Sequence, residues 1–188
     1  MIGRPIEELK IGDTAELSRT ISAQNIEMFV TAVGDDNPLH SNEAFAATTS
    51  FGRPIAPGIL TAGLVSAVIG TRLPGAGCLY VSQDLRFLKP VFVGDTITAR
   101  VEIIEMVAER NRIRLKTVCV NERGEEVLTG EAWIKPPKER LVYTGVYTGD
   151  TSACQALGHP WAWGAVAVSV YSRMALFTLT AWRPGVPT

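Results

Sequence analysis

The sequence has few residues from which a metal site or a disulfide framework could be built. It contains two histidines, His40 and His159, and three cysteines, Cys78, Cys119 and Cys154. The cysteines are far apart and form no Cys-x-x-Cys pair. Zinc sites and disulfide scaffolds need closer sets of such residues. We therefore expect no metal and no disulfide framework.

Excess charge and an apolar leader are also lacking. The 18 basic and 19 acidic residues give a net charge of −1, so nothing indicates a surface for nucleic acid or for anionic lipid. The first residues, MIGRPIEELKIGD, do not have the apolar run of a secretory signal peptide, and a cytoplasmic location is the default expectation. A chain of 188 residues is long enough for one domain with its own core.

Charge is scarce in the last quarter of the chain. Residues 141–188 contain only three charged side chains: Asp150, Arg173 and Arg183. Trp161 and Trp182 bound an apolar run with the length and aromatic ends of a membrane span, but Arg173 at its middle argues against insertion. A β-rich extension and a frame-shifted terminus are alternatives, and a disordered or loosely packed tail is favoured over both. We interpret 1–140 as the functional domain and 141–188 as an apolar extension of unknown structure, with no membrane span expected.

Within the first 140 residues, helical and strand periodicities are distinct. The patterns predict a strand, three helices and four more strands, over 13–21, 22–34, 42–47, 58–70, 78–88, 96–106, 111–120 and 126–135. Most of the strands alternate apolar and polar residues, which is typical of an antiparallel sheet with one solvated face. The helix at 58–70 is apolar on almost every side, so we expect it to be buried. These features favour an α+β hot-dog arrangement, in which an antiparallel sheet wraps around a long buried helix.

The strand at 78–88 is predicted to place one row of side chains on its inner face. That row consists of Leu79, Val81, Gln83, Leu85 and Phe87. An inward amide must find hydrogen-bond partners, so Gln83 is interpreted as structural rather than catalytic.

The loop after the first helix supplies a carboxylate and an imidazole five positions apart, Asp35 and His40, around an Asn37-Pro38 turn. A turn of this kind could bring the two side chains to one point beside the apolar helix. A carboxylate in a partly dry setting can act as a general base, and a nearby histidine can share the proton. Alternatively, Asp-x-Asn-Pro is a common turn sequence, and both groups could be structural.

The run from Gly34 to Ala46, Gly-Asp-x-Asn-Pro-Leu-His-x5-Ala, resembles the motif of the MaoC-like (R)-specific enoyl-CoA hydratases. Three further runs match in family order, at 58–66, 72–77 and 87–95. The resemblance extends from about residue 3 to residue 138. It implies a hydro-lyase of fatty acid metabolism or polyhydroxyalkanoate synthesis, which adds water to trans-2-enoyl-CoA and gives (R)-3-hydroxyacyl-CoA.

The resemblance also implies roles for individual residues. Asp35 and His40 match the catalytic pair, and Asp36 falls at a variable position of the motif. Gly58 matches the residue whose backbone N–H binds the thioester oxygen. The other matched site residues are Asn37, in the loop motif, and Ser66, which helps to orient the site.

Further implications of the resemblance are an acyl-CoA substrate, no cofactor, and a homodimer or higher homo-oligomer. The chain departs from the pattern at Pro57, where family members often have histidine. Two alternatives remain at this point. One is a dehydratase of 3-hydroxyacyl thioesters on an acyl carrier protein, and the other is a non-catalytic module that binds acyl thioesters.

Overall fold

The computed structural model describes residues 1–144, so the predictions for the extension beyond Thr144 lie outside the described residues. The elements are β1 (Ile2–Gly3), β2 (Thr14–Thr20), α1 (Ala23–Val33), α2 (Glu43–Ala47), α3 (Gly58–Thr71), β3 (Leu79–Phe87), β4 (Thr96–Val107), β5 (Arg112–Val120), β6 (Glu126–Lys135) and β7 (Leu141–Val142). Short 3₁₀ turns occupy Ile6–Glu8 and Ala108–Arg110. Each predicted helix and strand is present, and β1 and β7 are an additional two-residue pair.

Five strands form one antiparallel sheet in the order β2-β4-β5-β6-β3. Its inner face carries alternate residues of the central strands, and those of β4 and β5 are fully buried: Ile97, Ala99, Val101, Ile103, Ile113, Leu115, Thr117 and Cys119. Helix α3 packs against β2, β4 and β5. A sheet wrapped on one long helix is the hot-dog arrangement, and the α+β prediction is confirmed. Among residues 1–144, no helix is long and apolar enough to cross a membrane.

Local signals fix both ends of α1. Ser22 and Asn25 form a reciprocal capping box, with the Asn25 N–H donating to Ser22 Oγ at 3.1 Å. At the other end, Gly34 is the C-cap with φ of 72°, a left-handed conformation that glycine adopts without steric cost. The chain therefore leaves the helix directly at Asp35.

In the described chain, the predicted burial of α3 holds for one of its faces. One face packs on the sheet through Thr61, Leu64, Val65, Val68 and Ile69. The opposite face remains exposed, with Ile59, Gly63 and Ser66 on it. A single sheet can cover only one side of a helix, so the other side of α3 is left uncovered among the described residues.

The predicted inner row of β3 is wrong in its first half. A register shift between Tyr80 and Ser82 pairs Tyr80 with the buried Ile134, and it pairs Leu79 with Lys135 on the other face. A bulge of this kind inserts one residue and reverses the alternation on one side of it. Gln83 does lie inward, where its amide donates to Thr117 Oγ1 at 3.2 Å and accepts from the Tyr80 hydroxyl at 2.7 Å.

Burial along β3 also differs from expectation. Leu79, Val81 and Phe87 are exposed, because α3 makes its main contacts with β2, β4 and β5, toward the opposite edge of the sheet from β3. β3 is an edge strand of the five-stranded sheet. An apolar edge and an uncovered apolar helix face are thus available on the same molecule.

Candidate active site

Hydrogen bonds within the 35–40 loop hold the Asp35 carboxylate and the backbone of His40 in position. The Asn37 N–H donates to Asp35 Oδ1 at 3.3 Å, and the Leu39 N–H donates to Asn37 Oδ1 at 3.1 Å. The His40 N–H donates to the Asn37 carbonyl at 3.1 Å. In such Asx turns, a side-chain oxygen accepts a hydrogen bond from the backbone N–H two residues later. Asn37 thus organises the loop, and its own side chain is turned back into it.

His40 is fixed by a backbone carbonyl of another segment. Its Nδ1 lies 2.8 Å from the Ile55 carbonyl oxygen. A carbonyl can only accept, so Nδ1 carries the hydrogen and the neutral ring has its lone pair on Nε2. The His40 side chain is 10 % exposed, whereas that of Asp35 is 38 % exposed. The imidazole is therefore the rigid member of the pair, and the carboxylate is the one that water reaches more easily.

Nε2 of His40 faces Oδ2 of Asp35 at 3.7 Å. This separation exceeds the length of a direct hydrogen bond, and in the neutral tautomer both atoms are acceptors. One water molecule between them could donate one hydrogen to each. The geometry is suited to holding a water whose oxygen lone pairs point away from both groups.

The short segment at 55–56 joins this loop to α3. The Ile55 N–H donates to the Leu39 carbonyl at 3.2 Å, and on the other side of the segment the Ala56 N–H donates to the Val91 carbonyl at 2.7 Å. Pro57 follows as the buried N-cap residue of α3. The segment is held from both sides, so the start of α3 is fixed relative to His40.

Gly58 is the first residue of α3, and its N–H has no acceptor among residues 1–144. First-turn N–H groups point out of a helix, and the helix dipole is positive there. A Cβ at Gly58 would lie 2.7 Å from Cε1 of Phe87. Only glycine accommodates this close approach of the aromatic ring without a shift.

A cavity of about 300 Å³ brings the main predicted residues together: it is lined by Phe29, Val33, Asp35, His40, Pro57, Gly58 and Ile59. Pro57 thus lies in the cavity wall where the family pattern often has histidine. Ser66 does not line the cavity, because it is exposed two turns further along α3. Asn37 does not line it either. In the described chain, neither of these two predicted site residues contacts the cavity.

Sequence reasoning missed two contributors to this site. The Ile55 carbonyl fixes the imidazole, but a backbone atom leaves no trace in residue type. Phe87 packs on Gly58, whereas the strand pattern assigned it only to a core face. His159, which we did not assign to the site, lies outside the described residues.

Comparison with known proteins identifies relatives of the chain. Residues 8–125 match the family model described as MaoC like domain. A 3-hydroxybutyryl-CoA dehydratase of Methylorubrum extorquens is 48 % identical over 133 residues, which cover 71 % of this chain and 84 % of the relative. An (R)-specific enoyl-CoA hydratase of Rhodospirillum rubrum is 45 % identical over 131 residues, covering 70 % and 90 %.

Solved structures give a similar result. The unliganded R-hydratase PhaJ1 from Pseudomonas aeruginosa matches with a TM-score of 0.72 and 40 % identity, over 77 % of this chain and 94 % of that one.

The hydrogen bond to Ile55 predicts the tautomer of His40. We expect the ¹⁵N chemical shifts of the neutral ring to show a protonated Nδ1 and an unprotonated Nε2, because the carbonyl can accept only from an N–H. The measurement is a long-range ¹H–¹⁵N correlation spectrum, with His40→Gln used to assign the signals. A protonated Nε2 with a bare Nδ1 would contradict this geometry.

Proposed function

The chain belongs to the MaoC-like family, and from that premise we propose that it is an (R)-specific enoyl-CoA hydratase. One observation carries the proposal: a carboxylate and an imidazole 3.7 Å apart share a cavity with a helix N-terminus. The relatives named as hydratase and dehydratase support the same reaction, read in its two directions. The (R) configuration of the product is inferred from the relatives' names.

In this proposal, the Asp35–His40 pair binds and activates one water molecule. The water donates to Asp35 Oδ2 and His40 Nε2, which directs an oxygen lone pair at C3 of a trans-2-enoyl thioester. As the C3–O bond forms, one member of the pair takes a proton from the water, and the double-bond electrons move onto the thioester oxygen. The same proton is then delivered to C2. One water is consumed, and the chemistry calls for no cofactor and no metal.

The Gly58 N–H would stabilise the charge that develops on the thioester oxygen. Among residues 1–144 this N–H has no acceptor, and it lies at the positive end of α3, so the donor is in place before the charge forms. A single oxyanion donor contributes roughly 3–4 kcal/mol of transition-state stabilisation in other enzymes. Asn37 contributes indirectly, by holding Asp35 and His40 in one loop.

Ser66 is assigned to the site on the family resemblance alone. Its exposed position on α3 would let it contact a ligand or a second copy of the chain on the uncovered helix face. We propose that it orients the site from that face.

Substitution of the pair tests the catalytic assignment. Asp35→Asn and His40→Gln should each lower kcat for hydration of crotonyl-CoA about 10²–10⁴-fold, because each removes a proton acceptor from the water. The decrease in enoyl-thioester absorbance measures the rate. Asp36→Asn is the matched control, since Asp36 is exposed and lies outside the cavity, and it should keep the wild-type rate.

Three outcomes would count against the proposal. Wild-type kcat in Asp35→Asn or His40→Gln would remove the catalytic assignment. Tight binding of crotonyl-CoA without turnover by the wild-type protein would favour a module that only binds acyl thioesters. A strong preference for the thioester of acyl carrier protein would favour the dehydratase alternative.

We further propose that the functional unit is a homodimer. The exposed side chains of the β3 edge, Leu79, Val81 and Phe87, lie on the same molecule as the exposed Ile59 of α3. Unpaired sheet edges bind other strands, and exposed apolar side chains at such an edge favour association with a partner. A second copy would supply the partner that both surfaces require.

A charge on the β3 edge tests the dimer. Val81→Asp should convert a dimeric wild-type protein to a monomer, because it would bury an unpaired carboxylate in the interface. Light scattering coupled to size exclusion measures the mass. Thr14→Asp, an exposed residue of the opposite edge strand β2, should leave the dimer intact. A monomeric wild-type protein, or a Val81→Asp variant that remains dimeric, would contradict this interface.

A further inference from the structure

A second, larger cavity of about 430 Å³ adjoins the candidate active site. It shares Gly58 and Ile59 with the smaller cavity, so the start of α3 lies between the two. Apart from Thr61 and Lys89, the side chains that line it are apolar. The Lys89 ammonium is already paired with Glu125 at 2.6 Å.

Thr61 is the unusual member of this lining. The residue is 2 % exposed, and its hydroxyl has no hydrogen-bond partner within the described part of the chain. Helical threonines commonly donate to the carbonyl four residues earlier. Thr71 at the other end of α3 does so, to the Ala67 carbonyl at 2.6 Å. Buried hydroxyls are normally satisfied, so a group entering from the cavity is the natural partner for Thr61.

The geometry of a thioester determines which part of the substrate would reach this cavity. Its carbonyl carbon is trigonal and carries the oxygen, C2 and the sulfur. If the oxygen binds the Gly58 N–H and C2 faces Asp35 and His40, the sulfur must lie on the other side of Gly58. That side is the larger cavity. Thr61 lies three residues along α3, roughly 4.5 Å in axial rise, and the first amide of a pantetheine arm lies two carbons beyond the sulfur.

We propose that the larger cavity holds the pantetheine arm of the substrate and that the Thr61 hydroxyl bonds an amide of that arm. The inference rests on the proposed hydratase function and adds a positioning residue to it. The apolar walls surround the methylene groups of the arm, and Thr61 supplies the polar contact. Recognition of the arm would then be separate from recognition of the acyl chain.

The test uses three crotonyl thioesters that differ only in the thiol: crotonyl-CoA, the N-acetylcysteamine thioester with one amide, and the S-butyl thioester with none. Thr61→Val should raise KM roughly fivefold for the first two, which is the effect of losing one neutral hydrogen bond. It should leave KM for the S-butyl thioester unchanged and keep kcat within about twofold throughout. Thr61→Ser, which retains the hydroxyl, should behave like the wild-type protein.

Two controls separate this role from a structural one. Thr71→Val makes the same change on the same helix at an exposed site and should leave every KM unchanged. The melting temperature of Thr61→Val should be equal to or above that of the wild-type protein, because the substitution removes an unsatisfied buried hydroxyl.

An equal change in KM on all three thioesters, or no change on any, would overturn the proposal. A shift in preference between crotonyl-CoA and 2-octenoyl-CoA, with no dependence on the amide, would also overturn it and assign the cavity to the acyl chain. If the wild-type protein hydrates none of these thioesters, the proposed function itself fails. If it hydrates them while Thr61→Val behaves as wild type, only the assignment of the cavity fails.

Discussion

The candidate site depends on the hydrogen bonds made by one two-residue segment, Ile55–Ala56. The Ile55 carbonyl accepts a hydrogen bond from His40 Nδ1, and the Ile55 N–H donates to the Leu39 carbonyl. The Ala56 N–H donates to the carbonyl of Val91, in the loop before β4. The next residues are Pro57 and the start of α3. The loop that carries the proposed acid–base pair, Asp35 and His40, and the helix that begins at Gly58 are therefore positioned by the same few hydrogen bonds. A small displacement of this segment would move both halves of the site together.

The C-terminus of α1 and the N-terminus of α3 supply the two kinds of polar group in the site, a carboxylate and a backbone N–H. α1 ends at Gly34 in a left-handed conformation, so a carboxylate emerges just beyond its C-terminus. α3 begins at Gly58, where unsatisfied N–H groups favour negative charge. Phe87 packs against this glycine and belongs to the same exposed edge strand that we assign to the dimer interface. In a dimer that forms through β3, the Phe87 ring would therefore lie between the interface and the proposed oxyanion donor, the Gly58 N–H.

Much of this account could be predicted from sequence, and the reasons are local. Capping at Ser22 and Gly34, alternation in β4 and β5, and the Asp35–His40 spacing are encoded in residue type. The register shift at Tyr80–Ser82 is not, because period-2 alternation contains no signal for a bulge. Nor is the Ile55 carbonyl, since a backbone acceptor is independent of its side chain. The burial expected for α3 from its apolar composition holds for one face only among the described residues, because composition does not distinguish the face that the sheet covers from the face that it leaves uncovered.

The central claim is that a thioester oxygen binds the Gly58 N–H while its C3 faces the Asp35–His40 pair. A crystal structure of the Asp35→Asn variant with crotonyl-CoA tests this most directly, because the variant should bind the substrate and turn it over slowly. The account predicts a thioester oxygen about 2.7–3.2 Å from the Gly58 nitrogen, with C3 next to the His40 Nε2. A thioester oxygen directed away from the start of α3 would contradict it, even if the variant were inactive.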